Sequence, residues 1–137
     1  MLPLRICIDV DDLEKAIQFY SNALGLRLGR RFDQDWAEMI GASATLDLLG
    51  ERAGTSPSPF VSGIRSYERH WTPVHLDFVV QNIEPAVEKA ERAGAKLEKG
   101  IQEHVYGRLA LMSDPFGHGF CLLEFKGKGY DEIKGPR

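Results

Sequence analysis

The residues best suited to chemistry open two strand-like segments: Arg5, Cys7 and Asp9 in LRICIDV, and His75 and Asp77 in VHLDFVV. They alternate with Leu4, Ile6, Ile8 and Val10 in one segment and with Val74, Leu76, Phe78 and Val80 in the other. Side chains along a strand point to opposite faces in turn, so each polar set shares one face. His75 can serve there as a general base, a metal ligand or a donor to an anion. Arg5 carries a planar fork of donors that matches a carboxylate or phosphonate. Cys7 and Cys121 lie in apolar stretches and form no disulfide framework. They read as small buried hydrophobes unless a cation activates a thiol.

The elements that must position these residues occur twice. Leu4 to Gly25 aligns with Val74 to Gly94 at an offset of 70, pairing Ile6 with Leu76, Ile8 with Phe78, Leu13 with Ile83 and Ile17 with Val87. In each copy the apolar spacing changes from the strand period to the helix period. The first helix is predicted to start at Asp11 or Asp12, to carry Leu13, Ala16, Ile17, Tyr20, Ala23 and Leu24 as its apolar stripe, and to stop at Gly25. The second starts at Asn82, accepts Pro85 in its first turn, and stops at Gly94. Further strands are predicted at Leu26 to Phe32, Trp36 to Ile40 and Ala44 to Leu49, then at Lys96 to Leu97, Arg108 to Met112 and Phe120 to Phe125.

The order is βαβββ twice: an α+β fold whose two modules form curved mixed sheets around a shared cleft. Module one spans about 1–50, a linker rich in Gly, Ser and Pro about 51–72, module two about 73–126, and a polar tail 127–137. The apolar face of each first strand is the surface its helix needs, which leaves the polar face to the cleft. Alternation places Glu124 on the helix-covered side, or else at its exposed end.

A chain of 137 residues, 43% hydrophobic, supports one sizeable core. Its 17 Lys and Arg against 20 Asp and Glu give a net charge of −3 without any run of like charge, which argues against a nucleic-acid partner. No apolar run is long enough to span a bilayer and the acidic start is unlike a secretory signal, so a cytoplasmic protein is expected.

The paired modules, the run DDLEKAIQFYSNALGL after the first strand and the turn SDPFGHGFCLLEF before the last resemble the vicinal oxygen chelate family, which includes glyoxalases, bleomycin-resistance proteins and ring-cleaving dioxygenases. The most specific pieces are Asp12, Leu13, Glu14, Phe19, Tyr20, Leu24, Gly25 and Leu26, with Asp114, Pro115, Phe116, Gly117 and His118. Metal-dependent members take His, Gln or Glu ligands from the first and last strand of each module. Carried onto this chain, those positions hold Arg5, Asp47, His75 and Cys121. A guanidinium cannot coordinate and sets positive charge where a cation would sit.

The resemblance therefore implies a protein that binds or transforms a small organic molecule without a metal quartet, with no cofactor favoured. His75 and Asp47 are the candidate acid–base residues. Arg5, Cys7, Trp36, Asp77, Tyr106, Arg108 and Cys121 are the candidate lining of the cleft, with Arg5 alternatively paired to Asp47. The other reading is a lyase or dioxygenase holding zinc, nickel, manganese or iron on His75, Asp47 and Cys121. A homodimer is expected by the same resemblance. His70 and Trp71 close the linker and are candidates for a lid, His118 is read as a turn residue bonded to nearby backbone, and His104 as a surface histidine.

Overall fold

The computed structural model describes residues 1–133. The first module runs β1 (Arg5–Val10), α1 (Leu13–Leu24), β2 (Arg27–Phe32), β3 (Trp36–Ile40) and β4 (Thr45–Gly50). The second runs β5 (Leu76–Val79), α2 (Ile83–Ala93), β6 (Lys96–His104), β7 (Gly107–Ser113) and β8 (Gly119–Phe125). The sheets have the orders β1-β4-β3-β2 and β5-β8-β7-β6. In each, the first strand is parallel to the last and the remaining pairs are antiparallel. The chain is thus α+β, two βαβββ modules with curved, unclosed mixed sheets.

The helix ends follow from local chemistry. Asp12, not Asp11, caps α1, its carboxylate accepting the Lys15 amide at 3.1 Å. Gly25 closes α1 with φ 71°, a left-handed conformation that a Cβ would penalise. Asn82 stands at the start of α2 in extended backbone, but its side chain makes no capping bond. The cap comes from another strand, since Glu124 Oε2 on β8 accepts the Ile83 amide at 2.7 Å. Glu124 does lie on the helix side, and its negative charge there complements the positive end of α2.

One continuous core joins the modules. Val10, Leu13, Ala16, Ile17 and Tyr20 of the first pack in the same cluster as Ile83, Val87, Ala90, Phe116 and Phe120 of the second. Met39, Leu46, Leu48, Met112 and Leu122 are fully buried, each worth about 1.5–3 kcal/mol in apolar surface removed from water. Tyr20 crosses from α1 to the turn before β8, its hydroxyl donating to Asp114 Oδ2 at 2.6 Å.

Three segments differ from the expected pattern. Leu4 and Val74 precede their strands and are 66% and 75% exposed, not covered by the helices. The strand after α2 extends to His104, with register shifts between Leu97 and Lys99 and between Lys99 and Gln102 interrupting the alternation that would have revealed it. The tail is anchored as far as a 3-10 turn at Gly129–Ile133, where Tyr130 packs on Phe125 and Tyr106 at ring-centroid distances of 4.9 and 5.0 Å. The remainder of that tail, 134–137, lies outside the described residues. Among the described residues no helix is long and apolar enough to cross a membrane.

Candidate functional site

On the polar face of the first sheet the side chains assemble an ion cluster. Arg5 donates from Nε to Asp47 Oδ2 at 2.8 Å and from Nη2 to Asp47 Oδ1 at 2.6 Å. The same Nη2 reaches Glu38 Oε2 at 3.0 Å. Trp36 Nε1 adds a bond to Asp47 Oδ1 at 2.9 Å. Glu38 stands opposite Asp47 in the β3–β4 ladder, which is why one guanidinium spans both. Both carboxylates are buried in the sheet surface.

A bulge completes the cluster. Between Leu28 and Arg31 two residues of β2 oppose the single residue Glu38, turning Arg30 onto its carboxylate. Arg30 then gives Glu38 a backbone amide at 2.9 Å, Nε at 2.8 Å and Nη2 at 3.0 Å. Glu38 and Arg30 were not foreseen as site residues. The signal available was Gly29 inside a predicted strand, a common mark of a bulge. The bonds from Arg30, then those from Arg5, hold the Glu38 carboxyl down at about 2. The Arg5 hydrogen bonds likewise hold Asp47 below the usual carboxylate range, aided by Trp36. A carboxylate so strongly stabilised is a weak proton acceptor, which counts against Asp47 as a general base.

The second module places a different set on its polar face. His75 Nε2 lies 3.1 Å from Asp77 Oδ1. Asp77 is the ladder partner of Cys121, and His75, Asp77 and Cys121 bring one potential ligand atom each within 4.8 Å of one another. Burial first, then the negative charge of Asp77, pushes the Cys121 thiol up to about 11. The neutral thiol is therefore the resting form and must lose its proton to become a ligand or nucleophile. The cluster the fold assembles here contains Asp77, whereas Asp47, the ligand expected with His75 and Cys121, is engaged by Arg5 and Trp36 on the other sheet. The donors of module two suit a soft divalent ion such as zinc, while the Arg5 side of module one does not.

Between the first strands of the two modules lies a cavity of about 390 Å³. Its apolar wall includes Ile6, Ile8, Leu76, Phe78 and Phe120, and its polar groups include Cys7, His75, His70 and His118. Of the expected lining, Cys7 borders this cavity, and so does the candidate acid–base residue His75. His70 and His118 join it across the linker, 2.9 Å apart between Nε2 and Nδ1.

The other six expected lining residues lie outside this cavity: Arg5 and Trp36 in the ion cluster, Asp77 and Cys121 beside His75, and Arg108 and Tyr106 further away. Arg108 does not stand over the cleft, because it pairs with Glu124 in the β7–β8 ladder and so points to the helix side, where it bonds Glu124 and Glu84. Tyr106 does not reach the cavity either, since it sits in the β6–β7 turn between His104 and Tyr130, stacked on His104 at 5.0 Å. The His118 ring does bond backbone, namely the Asp9 carbonyl of β1 at 2.6 Å. His104 is half-buried with Nε2 shielded from solvent, not a surface residue. Trp71 is 80% exposed, and only its neighbour His70 joins the cavity wall.

Residues 5–123 match the glyoxalase-like domain family. An uncharacterized protein of Mycobacterium tuberculosis, Rv0887c, is 28% identical over 124 residues, covering 82% of this chain and 68% of its own. The fold is similar to the genomically encoded fosfomycin resistance protein FosX of Listeria monocytogenes, with a TM-score of 0.72, 19% identity, and 98% and 100% of the two chains covered. It is also similar to a glyoxalase/bleomycin resistance protein/dioxygenase from Nocardioides, with a TM-score of 0.64, 19% identity, and 94% and 86% covered. At such identities these solved structures establish the shared fold alone.

Proposed function

The chain belongs to the glyoxalase-like domain family of the vicinal oxygen chelate fold, and from that footing we propose that it binds a small organic molecule in the cavity between β1 and β5 without a metal quartet. The observation that carries this reading is the grip of Arg5 on Asp47 and Glu38. It fills two of the four positions at which the family resemblance would place metal ligands with a neutralised ion cluster. A cavity with mostly apolar walls and a few polar groups suits a ligand with a flat hydrophobic body and one polar end. His75, half-exposed beside Asp77, is the group positioned to orient that end or to exchange a proton with it. A cytoplasmic location and assembly as a homodimer complete the reading.

The experiment uses 8-anilinonaphthalene-1-sulfonate as an aromatic probe and its fluorescence as readout. Filling the cavity with Cys7→Trp weakens binding by about tenfold while leaving the circular dichroism spectrum intact, which is about 1.4 kcal/mol. Unchanged affinity in a folded Cys7→Trp protein contradicts the assignment.

A second reading has one observation in its favour, the convergence of His75, Asp77 and Cys121 within 4.8 Å. Those three residues would hold a zinc-class ion with a coordination position left over, and such an ion polarises a bound oxygen. Cys121 must first shed its proton, and the neighbouring carboxylate of Asp77 opposes that unless the cation arrives with it.

A further inference from the structure

We infer that His70 and His118 hold one proton between them and use it as a latch that ties the linker to both modules. Their rings meet edge to face at a centroid distance of 4.8 Å, with His70 Nε2 2.9 Å from His118 Nδ1. The outer nitrogen of each ring faces a main-chain carbonyl. His118 Nε2 lies 2.6 Å from the Asp9 oxygen, and His70 Nδ1 lies 2.9 Å from the Glu68 oxygen.

A carbonyl oxygen only accepts, so both outer nitrogens must carry hydrogen. The contact between the two inner nitrogens needs one hydrogen more. Three are therefore required. Two neutral imidazoles bring two, and two imidazolium rings bring four and set one N–H against another. Only the pair carrying a single extra proton satisfies every contact.

The latch joins three parts of the chain: the linker at His70, the turn before β8 at His118, and β1 at Asp9. The backbone supports it. The His70 amide donates to the Gly117 carbonyl at 3.1 Å. Gly117 has φ 85°, and a Cβ there would overlap the Glu68 carbonyl, so only glycine lets the linker lie this close.

The charged groups packed around the pair have other partners. From β1, the Asp9 carboxylate is bound by Arg65 of the linker at 2.8 Å, with Glu51 also near Arg65 at 3.7 Å. Arg69 pairs with Glu98 of β6 at 2.6 Å, and its Nη1 also donates to the His70 and Gly117 carbonyls, so this one cation does adjoin the pair. Asp114 accepts from Tyr20 of α1 and from the Phe116 and His118 amides. Tyr67 presents its ring to His118 at 6.4 Å while its hydroxyl donates to the Glu51 carbonyl. Cys7 and His75 share the cavity wall with the pair. Among the described residues no carboxylate bonds either ring, so the two carbonyls set the proton count.

The consequence is a pH response with two sides. Raising the pH removes the shared proton and leaves one contact as lone pair against lone pair. Lowering it adds a second and opposes two N–H groups. The linker is held best between these steps, and no ligand is needed for it.

The test combines long-range proton–nitrogen spectra of the histidine rings with amide hydrogen exchange across Arg65 to Trp71, expressed as protection factors. Three of the four ring nitrogens carry hydrogen over the range in which the linker is most protected. Protection falls about tenfold on either side of that maximum, the cost of roughly one hydrogen bond. His70→Gln, which keeps a polar side chain but does not titrate, loses the maximum. Two hydrogens on the four nitrogens throughout, or protection that changes monotonically with pH in the wild type, overturns the inference. The nitrogen count is made on the wild type, so it decides the matter even if the variant fails to fold.

Discussion

Arg5 and Asp47 meet through two parallel bonds, Nε to Oδ2 at 2.8 Å and Nη2 to Oδ1 at 2.6 Å, a fork that takes a lone pair of each Asp47 oxygen and sets positive charge where a cation would approach. Trp36 takes a further lone pair of Oδ1. Arg5 remains 46% exposed along its side chain while its carboxylate partners are nearly covered. The two guanidiniums of Arg5 and Arg30 balance the two carboxylates, so the cluster needs no added cation for neutrality.

The ion cluster makes acid stability depend on Glu38. Its folded carboxyl lies at about 2 against an ordinary 4.5, so the charged form favours the folded state. That contribution is fully present above pH 4.5 and is lost as the pH falls through 2. Urea midpoints measured across this range fall with acidification in the wild type, and more shallowly in Glu38→Gln. Equal slopes in the two proteins contradict the assignment.

The two thiols differ in reactivity. Cys7 is exposed, not buried as its apolar neighbours suggest, while Cys121 is buried and its thiol is pushed up to about 11. A thiol reagent such as dithionitrobenzoate at neutral pH modifies one cysteine rapidly in the native protein and both after denaturation. Cys7→Ser abolishes the fast phase. Rapid modification of Cys121 in the folded chain would contradict the packing described.

Tyr20→Phe removes the hydroxyl that joins α1 to the turn at Asp114. Burial and the adjacent Asp114 charge keep this phenol firmly protonated, so it is a permanent donor. Losing a buried bond to a carboxylate costs about 1.5–3 kcal/mol. Chemical denaturation reads the loss directly, and a change under about 0.5 kcal/mol would mean that the bond contributes little net stability.

Glu124→Gln tests the cap that one strand supplies to a helix. Glu124 accepts from the Ile83 amide and pairs with Arg108 at 3.1 Å. Removing its charge costs roughly 1 kcal/mol at the α2 N-terminus, while the amide oxygen retains part of the bond. A cost that disappears in an Arg108→Ala background would show that the pair, not the helix end, is responsible.

The elements were legible because their signals are local. The strand period of LRICIDV and VHLDFVV, the stripe from Leu13 to Leu24, and Gly25 and Gly94 as stops each rest on a few neighbouring residues. Alternation also predicted the helix-side position of Glu124. It could not settle Arg108, whose face depends on its register with Glu124 across β7 and β8. Arg30 was hidden for a related reason, since the bulge opposite Glu38 reverses the face that alternation assigns. His70 and His118 lie 48 positions apart and meet only because the linker folds back over the turn, a contact no spacing rule anticipates.

The most direct test of the metal-independent reading is the metal content of protein purified without chelator, measured by mass spectrometry for the wild type and for His75→Ala, Asp77→Ala and Cys121→Ala. Zinc, nickel, manganese and iron are expected well below one ion per chain in all four, with probe binding unchanged by chelator. A stoichiometric ion in the wild type, lost in these variants together with binding, would contradict it.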